Sequence, residues 1–525
     1  MNLATLVTAQ AIARPKAPAI IESPRGRLRV TTFGELDEAA QRAATMLRET
    51  GLRAGDAVLV FQPMSAELYV ALLALFRLGA TAMFLDPSAG AAHLAACCEL
   101  QPPRALVASA RAHLLRVRSR ALRMIPLKFA IGLPVPGART WAKWRDSAPM
   151  HETFPAAADT AALLTFTSGS TGQPKAAVRT HGFLRAQHRV LERNLALQPG
   201  EVDLTTLPVF LLANLASGVT SVIPNADLRA PGRIEPGPVL RQVNAHQVTR
   251  CAASPAFFER LLEGEQAQPG ACAGLRKLFT GGAPVFPRLL EALAAAAPSA
   301  SVEAVYGSTE AEPIAHIERR EIRADHHWAM RGGAGLLAGK PVAEIELRVL
   351  RDQWGMPLGA RSEGEVAGQC VPTGEVGEIA VRGEHVLSGY RQGRGDAETK
   401  FRVAGRVWHR TGDAGRLDAE GRLWLLGRCS ARVTDARGSL WPFAVECAAL
   451  GDARVRRAAL ASVAGRRVLA VEGRELELDD ARLLKALAWA ELDRLVLVKR
   501  LPVDRRHNAK IDYPALAKLL EAANR

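Results

Sequence analysis

The segment Thr165-Phe-Thr-Ser-Gly-Ser-Thr-Gly-Gln-Pro-Lys175 carries five hydroxyl side chains, two glycines and a lysine directly after an apolar run. That run, Ala161–Leu164, predicts a buried strand leading into the segment. Glycine permits positive φ and close backbone approach, so this loop can wrap a polyphosphate with backbone N–H and hydroxyl donors. It lacks the Gly-Lys-Ser/Thr triplet of a Walker A loop. A phosphate loop is favoured over a Ser/Gly linker, because linkers do not run from Pro-Lys into an ordered amphipathic stretch.

Four further motifs follow the loop in a fixed order: Tyr306–Glu310, Trp408–Asp413, Gly427-Arg428 and Asn508–Lys510. Together with the loop they resemble the signature of the adenylate-forming superfamily, which comprises acyl-CoA synthetases, peptide-synthetase adenylation domains and luciferases. The blocks Gly377–Gly383 and Gly389-Tyr390 also resemble the sequence that precedes the motif aspartate in that family, which is Asp413 here. One motif would be a weak signal, but five motifs in register make the resemblance specific.

The resemblance implies an α/β fold with two domains. The large N-terminal domain of helix-covered sheets would span residues 1–428, with its phosphate loop at 165–175. A small mobile α+β lid would span residues 429–525 and carry Lys510. The family places its hinge two residues beyond the arginine, at Ser430, where relatives usually have Asp or Lys.

Composition agrees with a large enzyme. The 525 residues are 48% hydrophobic, enough for more than one domain, and the first 150 residues alternate helical and strand patterns, as in a sheet covered by helices. The net charge is +15, but basic residues are dispersed and aromatic residues make up only 5%, so we expect no nucleic-acid partner. Seven cysteines without C-x-x-C pairs, and an N-terminus without signal-peptide character, predict a cytoplasmic protein.

Activating a carboxylate with ATP brings an anionic nucleophile to an anionic phosphate. The protein must neutralise charge, align the reactants and exclude water. Glu310 can bind Mg²⁺, which takes one or two protein carboxylates beside phosphate oxygens. Thr309 can hydrogen-bond the α-phosphate, and the resemblance makes Lys510 the mobile catalytic lysine. The cofactors implied are ATP and Mg²⁺.

The resemblance also implies a set of ATP- and AMP-binding positions. Tyr306 would stack on adenine, Asp413 would accept hydrogen bonds from both ribose hydroxyls, and Arg428 would contact ribose or phosphate. The implied positions are Thr167, Ser168, Gly169, Ser170, Thr171, Gly172, Lys175, Gly282, Ala283, Pro284, Tyr306, Gly307, Ser308, Asp413 and Arg428.

The sequence specifies the acyl pocket less clearly than the nucleotide site. Pro208–Gly218 falls where relatives place a helix beside the substrate, and its apolar side chains suggest a channel for an alkyl chain. The predicted lining is Phe210, Leu211, Leu212, Asn214 and Gly218. Apolar residues of this kind are as often ordinary core, and that alternative stays open.

Three stretches resemble one branch of the family, the olefin-pathway β-lactone synthetases: Ser217–Asn225, Tyr306–Ala315 and Leu501–Ile511. The branch adenylates a long-chain 2-alkyl-3-hydroxy acid, whose own hydroxyl then expels AMP. Bulky Trp441 stands near the expected pantetheine tunnel and weakens an acyl-CoA ligase interpretation without excluding it. An acyl-CoA synthetase or a stand-alone loader of an acyl carrier protein remains the alternative.

Two stretches admit a membrane-related interpretation. Leu68–Leu85 is long and apolar, but Arg77 and Gly79 interrupt it, so we predict a helix followed by a buried strand. Residues 111–128 interleave six basic side chains with apolar ones. A solvated helix face is the ordinary explanation, and contact with a membrane surface or a pathway enzyme is the alternative.

Overall fold

A computed structural model of the chain describes residues 2–86, 90–168, 174–473, 480–504 and 510–522. The contacts divide the chain into two compact units. The first comprises residues 1–225, 245–251 and 384–397, and the second comprises residues 226–244, 252–383 and 398–525. Both mix helices with sheets, so the predicted α/β class is confirmed. The boundary at 428/429 between a large domain and a lid stays a prediction.

The first unit contains eleven strands and nine helices within its described residues. The strands are β1 Pro18–Glu22, β2 Arg29–Thr32, β3 Ala57–Phe61, β4 Thr81–Phe84, β5 Ala105–Ser109, β6 Leu127–Ile131, β7 Arg139–Thr140, β8 Ala161–Ser168, β9 Pro174–Thr180, β10 Val202–Thr205 and β11 Thr220–Val222. The helices are α1 Ala4–Ala13, α2 Phe33–Glu49, α3 Ala66–Leu78, α4 Ala91–Leu100, α5 Ala110–His113, α6 Leu115–Arg118, α7 Arg120–Met124, α8 His181–Asn194 and α9 Pro208–Ser217.

Seven strands of this unit form one sheet in the order β7-β6-β5-β3-β4-β8-β9. All neighbours pair in parallel except β9, which returns antiparallel to β8. The strands β10, β11 and β1 also run parallel to one another, and β2 is antiparallel to β1. Parallel strands are covered on both faces and therefore consist of continuous apolar runs, as in Ala57–Phe61, which is buried throughout.

Local sequence signals explain several of these elements. Helix α3 begins where the Ser65 hydroxyl accepts from Leu68 N–H at 3.4 Å and ends at Gly79, whose φ is 72°. The predicted helix and strand within Leu68–Leu85 are therefore confirmed as α3 and β4. Within the described residues, no helix is long and apolar enough to cross a membrane. From the sequence, the apolar and β-branched run Val202–Phe210 predicts a strand. That prediction is wrong beyond Thr205, because Pro208 starts α9.

The remaining strands are β12 Arg250–Ala253, β13 Lys277–Gly281, β14 Ser301–Ser308, β15 Ala311–Glu318, β16 Leu336–Pro341, β17 Glu346–Leu350, β18 Ala360–Arg361, β19 Gly377–Arg382, β20 Lys400–Val403, β21 Arg406–Leu417, β22 Leu423–Arg428, β23 Val433–Asp435, β24 Gly438–Leu440, β25 Val455–Val463, β26 Arg466–Gly473 and β27 Arg494–Leu497. The remaining helices are α10 Pro236–Ala245, α11 Pro255–Ala267, α12 Pro287–Ala296, α13 Ala324–Arg331, α14 Glu363–Gln369, α15 Asp396–Thr399, α16 Pro442–Ala449, α17 Ala481–Ala486 and α18 Tyr513–Ala522.

In the second unit, strands run in the order β17-β19-β21-β22-β16-β15-β14-β13. Only β13 and β14 pair in parallel, and the rest of this path is antiparallel. A separate three-stranded sheet, β25-β26-β27, carries its own apolar core near the C-terminus. The apolar runs at 460–463, 468–471 and 494–498 each predict a strand from the sequence. All three lie in this small sheet, and the last strand ends at Leu497.

Candidate active site

The predicted phosphate loop joins two paired strands. Strands β8 and β9 form an antiparallel ladder in which Thr167 lies opposite Lys175 and Ser168 opposite Pro174. The loop between them, with Gly169, Ser170, Thr171 and Gly172, lies outside the described residues. Because the ladder is paired up to its last described residues, the loop's two ends are held at adjacent backbone positions. The proposed contacts of the loop with phosphate stay a prediction.

Lys175 lies on β9 and is half-buried. Its side chain passes next to Gly395, where an added Cβ would come within 2.8 Å of Lys175 Nζ. Gly395 also has a φ of 104°, which residues with a Cβ rarely adopt. Gly395 is not among the residues that the sequence motifs predict for the site. The sequence does carry a sign of this residue: three glycines occur within Gly389–Gly395, after the block Gly377–Gly383. Glycine permits a long side chain such as that of lysine to approach the backbone closely.

The turn predicted to border adenine lies beside the tyrosine predicted to stack on it. Strands β13 and β14 run in parallel with Gly281 opposite Val305, so β13 ends beside Val305 while β14 continues to Ser308. Gly282 follows with a φ of 80°, and Ala283 and Pro284 continue the turn, all half-buried. The next residue after Val305 is Tyr306. The parallel register therefore brings the two predicted adenine-binding segments together.

Tyr306, Asp413 and Arg428 form one hydrogen-bonded group, which with Thr411 we call the Asp413 cluster. Tyr306 Oη donates to Asp413 Oδ2 at 2.8 Å, and Arg428 Nη1 donates to Asp413 Oδ1 at 3.1 Å. Arg428 Nη1 also donates to the Thr411 carbonyl at 2.8 Å. Asp413 and Arg428 are register partners on β21 and β22. The structure thus joins residues that are up to 122 positions apart in sequence. Each oxygen of the Asp413 carboxylate accepts one hydrogen bond within the cluster.

The protonation state of the Asp413 cluster follows from its surroundings. Burial, followed by the Asp413 carboxylate, raises the pKa of Tyr306 well above its ordinary value. The Asp413 charge raises the pKa of Arg428, and the Glu310 charge adds to that rise. Tyr306 therefore remains a phenol donor and Arg428 a cation at any working pH.

Thr309 and Glu310 occupy the tight turn between β14 and β15. Glu310 N–H donates to Ser308 Oγ at 3.2 Å, and the pairing register shifts between Tyr306 and Ser308, at Gly307. Both turn side chains are half-buried. Among the described residues no group of three or more His, Cys, Asp or Glu is poised to hold a metal. A single half-buried carboxylate fits Mg²⁺, which completes its coordination with phosphate oxygens and water.

A buried ion pair supports the strand that carries Asp413. Arg410 lies on β21 and Glu378 on β19, and both side chains are at most 1% exposed. Arg410 Nε lies 3.0 Å from Glu378 Oε2, and Arg410 Nη2 lies 2.5 Å from the same oxygen. Arg410 Nη1 also donates to the Met356 carbonyl at 2.5 Å. The pair thus joins the two predicted motif blocks, Gly377–Gly383 and Trp408–Asp413, a role that the sequence analysis did not anticipate.

Lys510 lies in a different setting, which we call the Lys510 segment (residues 502–513). Lys510 is exposed, and its carbonyl accepts from Asp504 N–H at 2.8 Å. Lys510 N–H donates to Asp504 Oδ1 at 3.0 Å, and Val503 pairs with Ile511. Residues 505–509 lie outside the described part of the chain. Asp504, missed from the sequence, therefore clamps the base of the segment, and the approach of the Lys510 ammonium to the reacting groups stays a prediction.

The predicted acyl-pocket residues lie on α9 and at its end. Leu211 and Leu212 belong to the main core of the first unit, and Phe210 is 7% exposed. The Asn214 amide donates to Asp203 Oδ2 at 2.8 Å and to two hydroxyls of β10 and β11 at 3.1 Å. Gly218 ends the helix with a φ of 73°, and an added Cβ would lie 2.6 Å from Gln10 Oε1. These contacts show that Asn214 and Gly218 have structural roles in the first unit. Their contact with substrate stays a prediction.

The predicted hinge and the predicted tunnel block are close in sequence. Ser430 lies in a short 3-10 turn, Cys429–Ala431, directly after β22. Two residues later Arg432 pairs with Asp352 at 2.6 Å, and its guanidinium lies 5.4 Å from the centre of the Trp441 ring. Trp441 packs on a small apolar cluster that includes Leu426, Cys429 and Ala444. The ring is therefore held in place by both an aromatic–cation contact and apolar packing.

The chain is similar to known proteins over most of its length. The family described as AMP-binding enzyme matches residues 7–391. An olefin β-lactone synthetase of Stenotrophomonas maltophilia is 32% identical, over 92% of this chain and 90% of the relative. One of Xanthomonas campestris pv. campestris is 34% identical, over 93% and 90%. ATP-bound MatB from Rhodopseudomonas palustris has the same fold, with a TM-score of 0.80 at 21% identity over all of both chains. The chain belongs to the AMP-binding enzyme family and is an AMP-forming ligase that activates a carboxylic acid with ATP.

Proposed function

We propose that the chain activates a long-chain 2-alkyl-3-hydroxy acid and converts it to a β-lactone, with release of AMP and pyrophosphate. The observation that carries this proposal is the likeness, at 32% and 34% identity over more than nine-tenths of the chain, to two relatives named olefin β-lactone synthetase. The geometry of the Asp413 cluster supports the nucleotide half of the reaction. The nature of the acid and of the final nucleophile rests on the likeness.

In the proposed complex, the Asp413 carboxylate accepts the ribose hydroxyls. Tyr306 and Arg428 already donate to its two oxygens at 2.8 and 3.1 Å, which fixes the orientation of the carboxylate. A carboxylate oxygen has room for a second donor, so these bonds can persist when ribose binds. The Tyr306 ring and the backbone of Gly282–Pro284 would border the adenine, and their neighbours Val305 and Gly281 lie opposite each other in the register of β13 and β14.

Thr309 and Glu310 would serve the phosphate end of the nucleotide. Thr309 would donate to the α-phosphate and Glu310 would hold Mg²⁺, which would neutralise charge on the phosphate oxygens. Lys175 and the loop residues 167–172 would donate to the outer phosphates. The Lys510 ammonium would stabilise the charge that develops as the substrate carboxylate attacks the α-phosphorus.

The proposed reaction has two balanced steps. In the first, a carboxylate oxygen forms a bond to the α-phosphorus, and the bond from that phosphorus to the bridging oxygen breaks, releasing pyrophosphate. In the second, the 3-hydroxyl oxygen attacks the acyl carbon, its proton passes to solvent, and AMP leaves with the anhydride oxygen. The hydroxyl is already tethered to the acyl group, so proximity replaces a second bound substrate.

We propose further that residues 429–525 act as a lid that turns about Ser430 between the two steps. The short 3-10 turn at Cys429–Ala431, outside any long helix or strand, supports this position. Ser430→Pro would restrict φ and remove a backbone donor. It should slow one of the two steps selectively, measured as pyrophosphate release against lactone formation. Unchanged rates of both steps would move the hinge elsewhere.

Mass spectrometry of the organic product tests the proposal. The chain would be incubated with ATP, Mg²⁺ and a 2-alkyl-3-hydroxy acid, with and without coenzyme A. A product lighter than the acid by one water, formed without coenzyme A, is expected. The matched 2-alkyl acid without the 3-hydroxyl should give pyrophosphate and acyl-adenylate but no such product. A thioester that forms only with coenzyme A, and no dehydrated product, would instead establish an acyl-CoA ligase.

A further inference from the structure

The connection from β5 to β6 has an unusual charge pattern. From Leu100 to Arg145 the chain contains ten basic residues and no Asp or Glu. The basic residues are Arg104, Arg111, Arg116, Arg118, Arg120, Arg123, Lys128, Arg139, Lys143 and Arg145. The three short helices α5, α6 and α7 lie in the middle of this stretch, on a connection between neighbouring parallel strands. Such a run of one sign repels itself, and a bound anion would relieve that repulsion.

The same connection and the turn that follows β6 expose four large apolar side chains. Leu122 and Ile125 are at most 3% exposed and anchor the helices in the core around Cys97. The outward residues Leu114, Val117, Met124 and Leu133 are 67%, 73%, 69% and 60% exposed. They are four of the ten strongly exposed large apolar side chains in the described part of the chain. Scattered single residues of this kind are ordinary, but such a concentration indicates a surface with a partner.

Two arginines hold the segments of this surface together. Arg123 Nη1 donates to the carbonyls of Arg116 and Val117 at 3.0 and 2.8 Å, joining α7 to the end of α6. Arg116 Nη1 donates to the Pro136 carbonyl at 3.2 Å, joining α6 to the turn that follows Leu133. The exposed apolar side chains are therefore carried by segments that are bonded to one another rather than by independent loops.

The positive charge of this surface is not compensated within the described residues. There, Arg111, Arg118, Arg120 and Arg123 form no ion pair with a carboxylate, and all four are exposed. Burial, and after it the charge of Arg116, lowers the pKa of Lys128. Guanidinium groups with apolar side chains between them match a layer of phosphate headgroups above acyl chains.

We infer that residues 111–133, the 111–133 surface, dock the protein on a membrane that contains anionic lipid. Arginines would pair with the lipid phosphates, while Leu114, Val117, Met124 and Leu133 would enter the boundary of the acyl chains. An acidic protein is the less fitting partner, because protein interfaces have an apolar centre inside a polar rim, whereas here the arginines alternate with the apolar residues. Docking of this kind would place the enzyme where a long-chain acid partitions.

Vesicle co-sedimentation of the full-length chain tests the inference without ATP or acid, so its outcome is independent of the catalytic proposal. Phosphatidylcholine vesicles with phosphatidylglycerol should bind the chain, and pure phosphatidylcholine vesicles should not. Each basic residue near an anionic surface adds about 1 kcal/mol, so R118Q/R120Q should weaken partitioning roughly 10- to 30-fold. L114S/V117S should weaken it as well, because the insertion of apolar groups is lost.

The control is R27Q/L28S, which alters an exposed arginine and a 60% exposed leucine elsewhere in the first unit. It should bind vesicles like the unaltered chain. All variants change exposed side chains, and equal thermal unfolding would show that they fold. The inference is overturned if the chain does not sediment with anionic vesicles, or if R118Q/R120Q and the control bind the vesicles equally. It is also overturned if an acidic protein, but not lipid, protects Arg118 and Arg120 from a guanidine-modifying reagent.

Discussion

The Asp413 cluster and the Lys510 segment serve the same proposed reaction but are built in opposite ways. The Asp413 cluster stands on paired strands, its side chains bond one another, and a fully buried ion pair lies beneath it. The Lys510 segment has an exposed lysine and a base held by the backbone and side chain of Asp504. In the proposed roles, nucleotide binding is preorganised by paired strands, whereas the catalytic charge belongs to an exposed side chain.

The largest expected effect concerns the buried ion pair of Arg410 and Glu378. Glu378→Ala should lower the free energy of unfolding by about 3–5 kcal/mol, because it leaves the Arg410 guanidinium buried without its partner. Denaturant unfolding measures this. The matched control is Glu420→Ala. The Glu420 side chain pairs with Arg422 but is 60% exposed, so its loss should cost no more than about 1 kcal/mol. Equal losses in both variants would show that the cluster does not depend on the pair.

Lys510→Ala should reduce the rate of adenylation by roughly 10²–10³, the scale of a lost charge-stabilising donor in the transition state. ATP affinity should hardly change, because the Asp413 cluster stays intact. Pyrophosphate release with a cognate acid measures the rate. Lys518→Ala, an exposed lysine on α18, is the control and should retain full activity. Unchanged pyrophosphate release in Lys510→Ala would rule out its catalytic role.

Asp413→Asn should weaken ATP binding roughly 10- to 100-fold, because hydrogen bonds to a charged group contribute about 1.5–3 kcal/mol. Tyr306→Phe keeps the aromatic ring and removes one neutral donor, so it should cost only about 1 kcal/mol. Calorimetric titration with ATP measures both. If the rate fell while ATP affinity stayed constant, Asp413 would belong with the catalytic charge and the contrast between the two regions would fail.

A pH effect should appear at the C-terminal side of the Lys510 segment. Glu446 Oε1 accepts from Tyr513 Oη at 3.1 Å and from Leu460 N–H at 3.2 Å. Burial raises the pKa of Glu446 from 4.5 to about 8. The folded state therefore binds more protons than the unfolded one, and stability should fall as pH rises from 4.5 to about 8, by up to about 1.4 kcal/mol per pH unit.

Glu446→Gln should flatten this pH dependence of the free energy of unfolding, since the amide does not titrate. Glu521→Gln, at an exposed position of α18, is the matched control and should leave the dependence as it is. The same slope in all three proteins would mean that Glu446 is ionised in the folded state.

The smallest expected effect concerns the clamp of the Lys510 segment. Asp504→Ala removes the carboxylate that accepts from Lys510 N–H at 3.0 Å, a hydrogen bond worth about 0.5–1.5 kcal/mol. Adenylation should slow by roughly 3- to 10-fold, with ATP affinity retained. Asp504→Asn keeps an acceptor and should recover most of the rate. A loss of ATP affinity in either variant would instead connect the segment to nucleotide binding.

The match between sequence and structure differs along the chain. Local signals predicted α3 and β4 correctly, because a capping serine, a helical apolar run and a terminal glycine occur within one short window. The same kind of signal failed at Val202–Phe210, where a proline inside an apolar run starts a helix instead of continuing a strand. The apolar side chains of α9 illustrate a further limit, since periodicity does not distinguish core packing from pocket lining.

The sequence by itself determined the fold class, the family resemblance and most candidate residues, because these depend on residue types at short spacings. Only the tertiary structure decided which of them meet. Tyr306, Asp413 and Arg428 come together through strand order and register, as do Arg410 and Glu378. Register depends on long-range pairing of whole strands, and a shift by one residue would turn each side chain to the opposite face. No local pattern in a single sequence encodes that choice.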